Sequence, residues 1–181
     1  MLGEWSLNVS LIIHRIESMK NTREIAFQYE VYESVNDLQT ADQELVSKAF
    51  EALRGSYAPY SRFHVGAAVL LADGEVVCGA NQENAAYPSG LCAERVAVFA
   101  AKAQKPDVDI DSIAIVIESE NAPMLFPSSP CGACRQSLLE YEVNQDRAVR
   151  LILATRNSGA YVVPSIKSLL PLFFDQSQLG K

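Results

Sequence analysis

The sequence predicts an α/β fold, a three-layer α/β/α sandwich around a mixed five-stranded sheet whose last two strands run antiparallel. Three observations carry that prediction. Apolar runs of strand length at 65–71, 112–117 and 150–154 alternate with helical stretches, the pattern of a sheet covered on both faces. The connector Arg156-Asn157-Ser158-Gly159 leads at once into Tyr161-Val162-Val163. A parallel neighbour would need a crossover of about a dozen residues, so this pair must be antiparallel. The third is size: 181 residues, 49% of them hydrophobic, suit one domain with a substantial core.

Taken in order, residues 1–19 show no clean period and receive no role; Met19 is as natural a start as Met1. Residues 1–39 read as an N-terminal extension with one strand at about 24–33, where Ile25, Phe27, Tyr29 and Val31 alternate with Ala26, Gln28 and Glu30. It is expected as an added edge strand or an oligomer contact. The main domain then spans 40–181. Thr40-Ala41-Asp42-Gln43 reads as a capping box opening a helix. That helix carries Leu45, Ala49, Ala52 and Leu53 on one face and stops at Gly55.

Tyr57-Ala58-Pro59-Tyr60-Ser61 is a loop before the strand at 65–71. Asp73-Gly74 then turns the chain into a hairpin partner at 75–79. Residues 81–90 form a polar loop kept irregular by Pro88 and Gly90. An Ala-rich helix runs from about Cys92 to Lys102, and the strand at 112–117 follows. Pro127 and Pro130 mark a loop, a helix covers 131–141, and the strand at 150–154 comes next. A short helix within 165–174 closes the chain.

A net charge of −7 disfavours a nucleic-acid backbone as partner and suits a small uncharged ligand. Leu11-Ile12-Ile13 has neither a basic stretch before it nor a cleavage site after it. No apolar run is long enough to span a bilayer. The expectation is a cytoplasmic protein with reduced thiols and no membrane partner.

The four cysteines are Cys78, Cys92, Cys131 and Cys134. Cys131-x-x-Cys134 alone could be a redox pair or half of a structural zinc site. A redox pair leaves Cys92 and Glu94 without a role. A closed four-ligand site would need Cys78, which lies in a strand and reads as a small core residue. His14 and His64 are isolated and read as packing or surface residues. Three thiolates with a fourth position open to water is the favoured count, and it is what hydrolytic zinc requires. Cys92 and Cys131 each stand near a helix N-terminus, whose dipole offsets thiolate charge and lowers thiol pKa. Arg95 and Arg135 are candidates for further compensation. Glu94, at the start of an Ala-rich helix, is the candidate proton carrier.

These residues are recognisable. Cys92-Ala93-Glu94 with Pro130-Cys131-Gly132-Ala133-Cys134-Arg135-Gln136 resembles the free-nucleoside cytidine deaminase family. So do residues 57–67, Asn81-Gln82-Glu83-Asn84-Ala85 and Leu169-Leu170-Pro171. The resemblance covers roughly 40–180, making that span a cytidine deaminase-like catalytic domain.

It implies one zinc ion per chain on Cys92, Cys131 and Cys134. It also implies hydrolytic deamination of cytidine and 2′-deoxycytidine to uridine and 2′-deoxyuridine plus ammonia, a step of pyrimidine salvage. Glu94 would take a proton from the attacking water, protonate ring N3, and later pass a proton to the leaving amine. Asn81 and Glu83 match a pair that holds the ribose hydroxyl, and Phe63 would line the base pocket. The backbone at Ala93 and at 129–131 would contact the base amino group and the attacking water. The family is commonly homotetrameric, with Phe174 and Tyr60 matching residues at a neighbouring subunit.

Ser89-Gly90 departs from the family, where bulkier residues are common. Three rivals stand beside this reading. A blasticidin-type deaminase would carry a different sugar loop, and deoxycytidylate or polynucleotide deaminases usually carry His-x-Glu. A zinc-stabilised interaction module would leave Glu94, Asn81 and Glu83 unused.

Overall fold

A computed structural model describes residues 21–180. Leu11-Ile12-Ile13, His14 and the Met19 start lie outside the described residues. The elements in chain order are β1 (Glu30–Tyr32), α1 (Thr40–Ala52), β2 (Phe63–Leu71), β3 (Val76–Ala80), α2 (Ala93–Gln104), β4 (Ile110–Ser119), α3 (Gly132–Asn144), β5 (Arg150–Ala154) and β6 (Ala160–Val163). The strands form a single sheet of order β1-β6-β5-β4-β2-β3. Among the described residues, β4 and β5 run parallel and the other neighbouring pairs antiparallel, including β5 with β6 as the short connector requires.

Alternation along the central strands sorts side chains into two cores. Ile113 and Ile115 of β4 and Leu151 and Leu153 of β5 face α2 and α3, where they meet Ala97, Val98, Leu138 and Leu139. Ala114, Val116, Ile152 and Ala154 face the other way onto Leu45, Val46 and Ala49 of α1. The result is the expected three layers. Asp42 and Arg150 clamp α1 to the sheet through a two-pronged ion pair of 2.8 and 3.3 Å.

Five expectations are corrected. The sheet has six strands, not five, because the N-terminal strand joins it at the β6 edge. That strand covers Glu30–Tyr32 rather than about 24–33, since β6 is four residues long and offers only Ala160, Tyr161 and Val162 as partners. The capping box at Thr40 does not form: Thr40 is already helical, and Gln39 occupies the N-cap. The Gln43 side chain instead donates to the carbonyls of Asn36 and Leu38, tying α1 to the turn before it. Cys78 is exposed rather than in the core, because β3 is the outer strand of its edge. The C-terminal helix is one 3₁₀ turn, Ile166–Leu169.

That turn is held by Glu142 of α3, a carboxylate 1% exposed. It accepts from the backbone N–H groups of Val149, Ile166 and Lys167 and from the Ser165 hydroxyl, at 2.7–3.1 Å. Four donors satisfy a charge that would otherwise be costly to bury. No helix among the described residues is long and apolar enough to cross a membrane.

The sheet direction places the working residues. β3 and β4 are both antiparallel to β2, so both end at the same sheet edge, where β2 begins with Phe63 opposite Ser119. The loops leading into α2 and α3 leave from that edge. Gly79 lets α2 approach β3, since a Cβ there would lie 2.5 Å from Ala97 N and 2.8 Å from Ala93 O. Gly79→Ala should therefore push α2 off the sheet, lowering stability by about 1–3 kcal/mol and reducing retained zinc. Thermal unfolding and metal content of the purified variant check this.

Candidate active site

Cys92 is the N-cap of α2 and Cys131 the N-cap of α3, both in extended backbone, and Cys134 lies in the first turn of α3. The three Sγ atoms lie within 4.8 Å of one another. Cys92 and Cys131 are separated by 4.0 Å, and Cys131 and Cys134 by 3.4 Å. Neither N-cap makes a side-chain capping bond, so both helix ends keep their partial positive charge for the sulfurs.

The cluster shares its protons unevenly. The Cys92 thiol is pushed down to about 5, first by the hydrogen bond from Cys134, against the cost of burial, and then by Arg95 and Cys131. Cys134 is pushed up by giving that hydrogen bond, then by burial and by Glu94. Arg95 Nη2 lies 3.9 Å from Cys92 Sγ. Its guanidinium Nε is buried with no hydrogen-bond partner among the described residues. Burial opposes the Arg95 charge, but its contacts with Cys92 and Cys134 prevail and raise its pKa.

A soft, three-sulfur donor set at two helix ends beside a half-buried cation fits zinc with one position left for another ligand. Among the described residues the cluster comprises these three side chains. Arg135 does not join Arg95: it donates to the carbonyls of Pro130 and Leu169, at 2.8 and 3.1 Å. Its role is to tie the loop before Cys131 to the C-terminal turn.

The cluster opens on a cavity of about 690 Å³, within the range of small-molecule sites. Its lining brings together Phe63, Asn81, Glu83, Cys92, Glu94 and Cys131. Glu94 is 4% exposed, and its pKa is raised, chiefly by burial. Ala93, fully buried, begins α2 beside it.

In the same lining, Asn81 Oδ1 accepts from Val65 N at 2.9 Å and from Ser56 Oγ at 2.6 Å, while Nδ2 donates to Phe63 O at 2.8 Å. Glu83 Oε2 accepts from the backbone N–H groups of Tyr60 and Ser61. Its pKa is lowered, first by its hydrogen bond with the Ser61 side chain and then by Tyr60 N–H.

The two cross-subunit candidates are placed differently. Tyr60 sits exposed at the rim, edge-on to Tyr87 at 6.3 Å. Phe174 is exposed and outside this chain's cavity lining, while Phe173 packs against the core. Sequence reasoning missed Ser56 and Tyr87. Ser56 immediately precedes the Tyr57–Ser61 motif, so the motif's boundary was its available signal; Tyr87 had none beyond its loop.

Fold and cluster together define a zinc-binding deaminase class. Residues 39–148 match the family described as the cytidine and deoxycytidylate deaminase zinc-binding region, a span that includes all three cysteines. The chain is 47% identical over 98 residues to a cytidine deaminase of Halalkalibacterium halodurans, covering 54% of this chain and 70% of that one. Over 139 residues it is 37% identical to a cytidine deaminase of Sporosarcina psychrophila, covering 76% and 94%. A crystal structure of a cytidine deaminase from Burkholderia pseudomallei superposes with a TM-score of 0.64 at 36% identity, covering 76% of this chain and all of that one. The chain belongs to the cytidine deaminase family.

Because Cys134 retains its proton in the metal-free cluster, zinc binding must expel it. Zinc affinity should fall as pH is lowered from 8 to 6, by about tenfold per pH unit for each proton released. Chelator-competition titrations at several pH values measure the slope. A flat profile would show that no proton leaves.

Proposed function

We propose that this chain hydrolytically deaminates cytidine and 2′-deoxycytidine to uridine and 2′-deoxyuridine, releasing ammonia, as a step of pyrimidine salvage in the cytoplasm. The observation that carries the reading is one cavity lined by Glu94, by Cys92 and Cys131 of the three-thiol cluster, and by the Asn81–Glu83 pair. The catalytic unit is residues 40–181, with 1–39 an N-terminal extension.

Cys92, Cys131 and Cys134 would hold one zinc ion, a Lewis acid that makes the attacking water acidic when bound. Glu94 takes a proton from that water and delivers it to ring N3 as the water oxygen bonds to C4, then carries the remaining hydroxyl proton to the amine, which leaves as ammonia while the C4 carbonyl forms. Burial suits it to both acts, because its raised pKa lets the carboxyl hold a proton between them. The Ala93 backbone and the backbone at 129–131 orient the water and the amino group, while Phe63 packs on the base.

The polar pair reads as the complement of a hydroxyl. Both lone pairs of Asn81 Oδ1 and one Nδ2 proton are engaged by the protein, leaving one N–H to donate. Glu83 keeps one carboxylate oxygen with no hydrogen bond among the described residues, so it can accept. A sugar hydroxyl does both at once. The ring hydroxyl that cytidine and 2′-deoxycytidine have in common is the 3′-hydroxyl, which makes it the group this pair holds. In the homotetramer we propose, Tyr60 and Phe174 reach toward a neighbouring subunit's pocket.

Glu94→Ala tests the central assignment. The variant should retain about one zinc per chain and lose about 100- to 10,000-fold in kcat for uridine formation. Full activity with zinc retained would remove Glu94 from the mechanism. A zinc-loaded wild type that converts neither nucleoside would overturn the function.

A further inference from the structure

Asn81 is oriented by more than its backbone contacts, and the additional partners come from two other elements. Ser56 follows the 3₁₀ turn Leu53–Gly55 at the end of α1, and His64 lies in β2. Ser56 Oγ stands 2.6 Å from Asn81 Oδ1 and 2.9 Å from His64 Nδ1. His64 Nε2 lies 3.0 Å from Glu120 Oε1, which anchors the outer end of the ring.

The proton directions in this chain follow from the backbone. Reversing the Asn81 amide would set its NH₂ group against Val65 N–H and its oxygen against Phe63 O, so the orientation with Oδ1 as acceptor is fixed. Ser56 must then donate its single hydroxyl proton to Asn81 Oδ1. That leaves Ser56 Oγ only lone pairs for His64, so Nδ1 carries the proton between them, and the anchor on the Glu120 carboxylate has Nε2 donating as well. The order is His64 Nδ1–H to Ser56 Oγ–H to Asn81 Oδ1.

From this relay we propose that Ser56 and His64 are positioning residues for recognition of the substrate's sugar. By occupying the last lone pair of Asn81 Oδ1, they leave the amide only a donor to present and hold that donor facing Glu83's side of the cavity. The inference rests on the reading of Asn81 and Glu83 as a sugar-hydroxyl clamp. Neither residue lines the cavity, and both act through Asn81, so their influence is on binding of the sugar rather than on the hydrolytic step.

The experiment compares cytidine with 3′-deoxycytidine as substrates for the zinc-loaded enzyme and for Ser56→Ala, Ser56→Thr, His64→Leu and Asn81→Ala. Ser56→Ala should raise KM for cytidine about twofold to tenfold, the loss of one net hydrogen bond, and leave KM for 3′-deoxycytidine within twofold. Ser56→Thr, which keeps the hydroxyl, should recover most of the loss. His64→Leu should shift KM in the same direction by less, because the hydroxyl can still reach Asn81. If Asn81→Ala discriminates between the two substrates but Ser56→Ala does not, the relay is wrong and the clamp survives. If Asn81→Ala weakens both substrates equally, the clamp itself is wrong and the relay falls with it. A Ser56→Ala effect confined to kcat, or equal on both substrates, also overturns the relay.

Discussion

Everything in this fold is subordinate to bringing three sulfur atoms from two helix ends together, although Cys92 and Cys131 stand 39 residues apart. A cluster of thiolates repels itself unless positive charge surrounds it. Here that charge comes from two helix N-termini and from Arg95, whose guanidinium is partly buried against Cys92. The sheet topology makes the convergence possible. β3 and β4 share a direction, each feeds a helix on the same face, and the two helices therefore begin side by side.

The same constraint explains several features that look unrelated to the cluster. Gly79 brings α2 close to β3, which sets the position of Cys92. Arg135 and Glu142, one at each end of α3, both fasten the C-terminal turn to that helix. A site whose ligands sit on helices locked by packing and by buried hydrogen bonds is built in advance of its metal. A site on free loops would have to be ordered by it.

Much of this was legible in the sequence because it depends on local pattern. The strand at 150–154 coincides with β5, and the short connector after it fixed the antiparallel return. The three cysteines and Glu94 were identified from spacing; Cys92, Cys131 and Glu94 line one cavity, and Cys134 joins the two cysteines in the sulfur cluster. What was not legible depends on neighbours. The length of β1 is set by β6, not by the alternation of its own residues. Gln43 has the sequence of a capping residue but finds better partners in the carbonyls of the preceding turn. Cys78 is apolar by type yet sits on an edge strand, and Arg135 is close to the cluster in sequence while bonding away from it. Ser56 had only its place beside the Tyr57–Ser61 motif as a signal, since its meaning comes from His64 and Asn81, eight and 25 residues away.

Two carboxylates line the one cavity, and their surroundings drive them in opposite directions. Glu83 is partly exposed to solvent and accepts hydrogen bonds from the Ser61 hydroxyl and two backbone N–H groups, so it favours the ionised form and serves as a fixed acceptor. Glu94 is walled in, and burial makes its carboxyl reluctant to ionise. Environments that separate two acids in this way separate their roles. A group that must hold a substrate hydroxyl needs a constant charge, whereas a group that must take up and release a proton needs the two forms close in energy. The proposed division, with Glu83 on the sugar and Glu94 on the water and base, is the assignment in which each carboxylate's environment matches its task. Exchanging them would ask the solvated acid to store a proton and the buried one to remain charged.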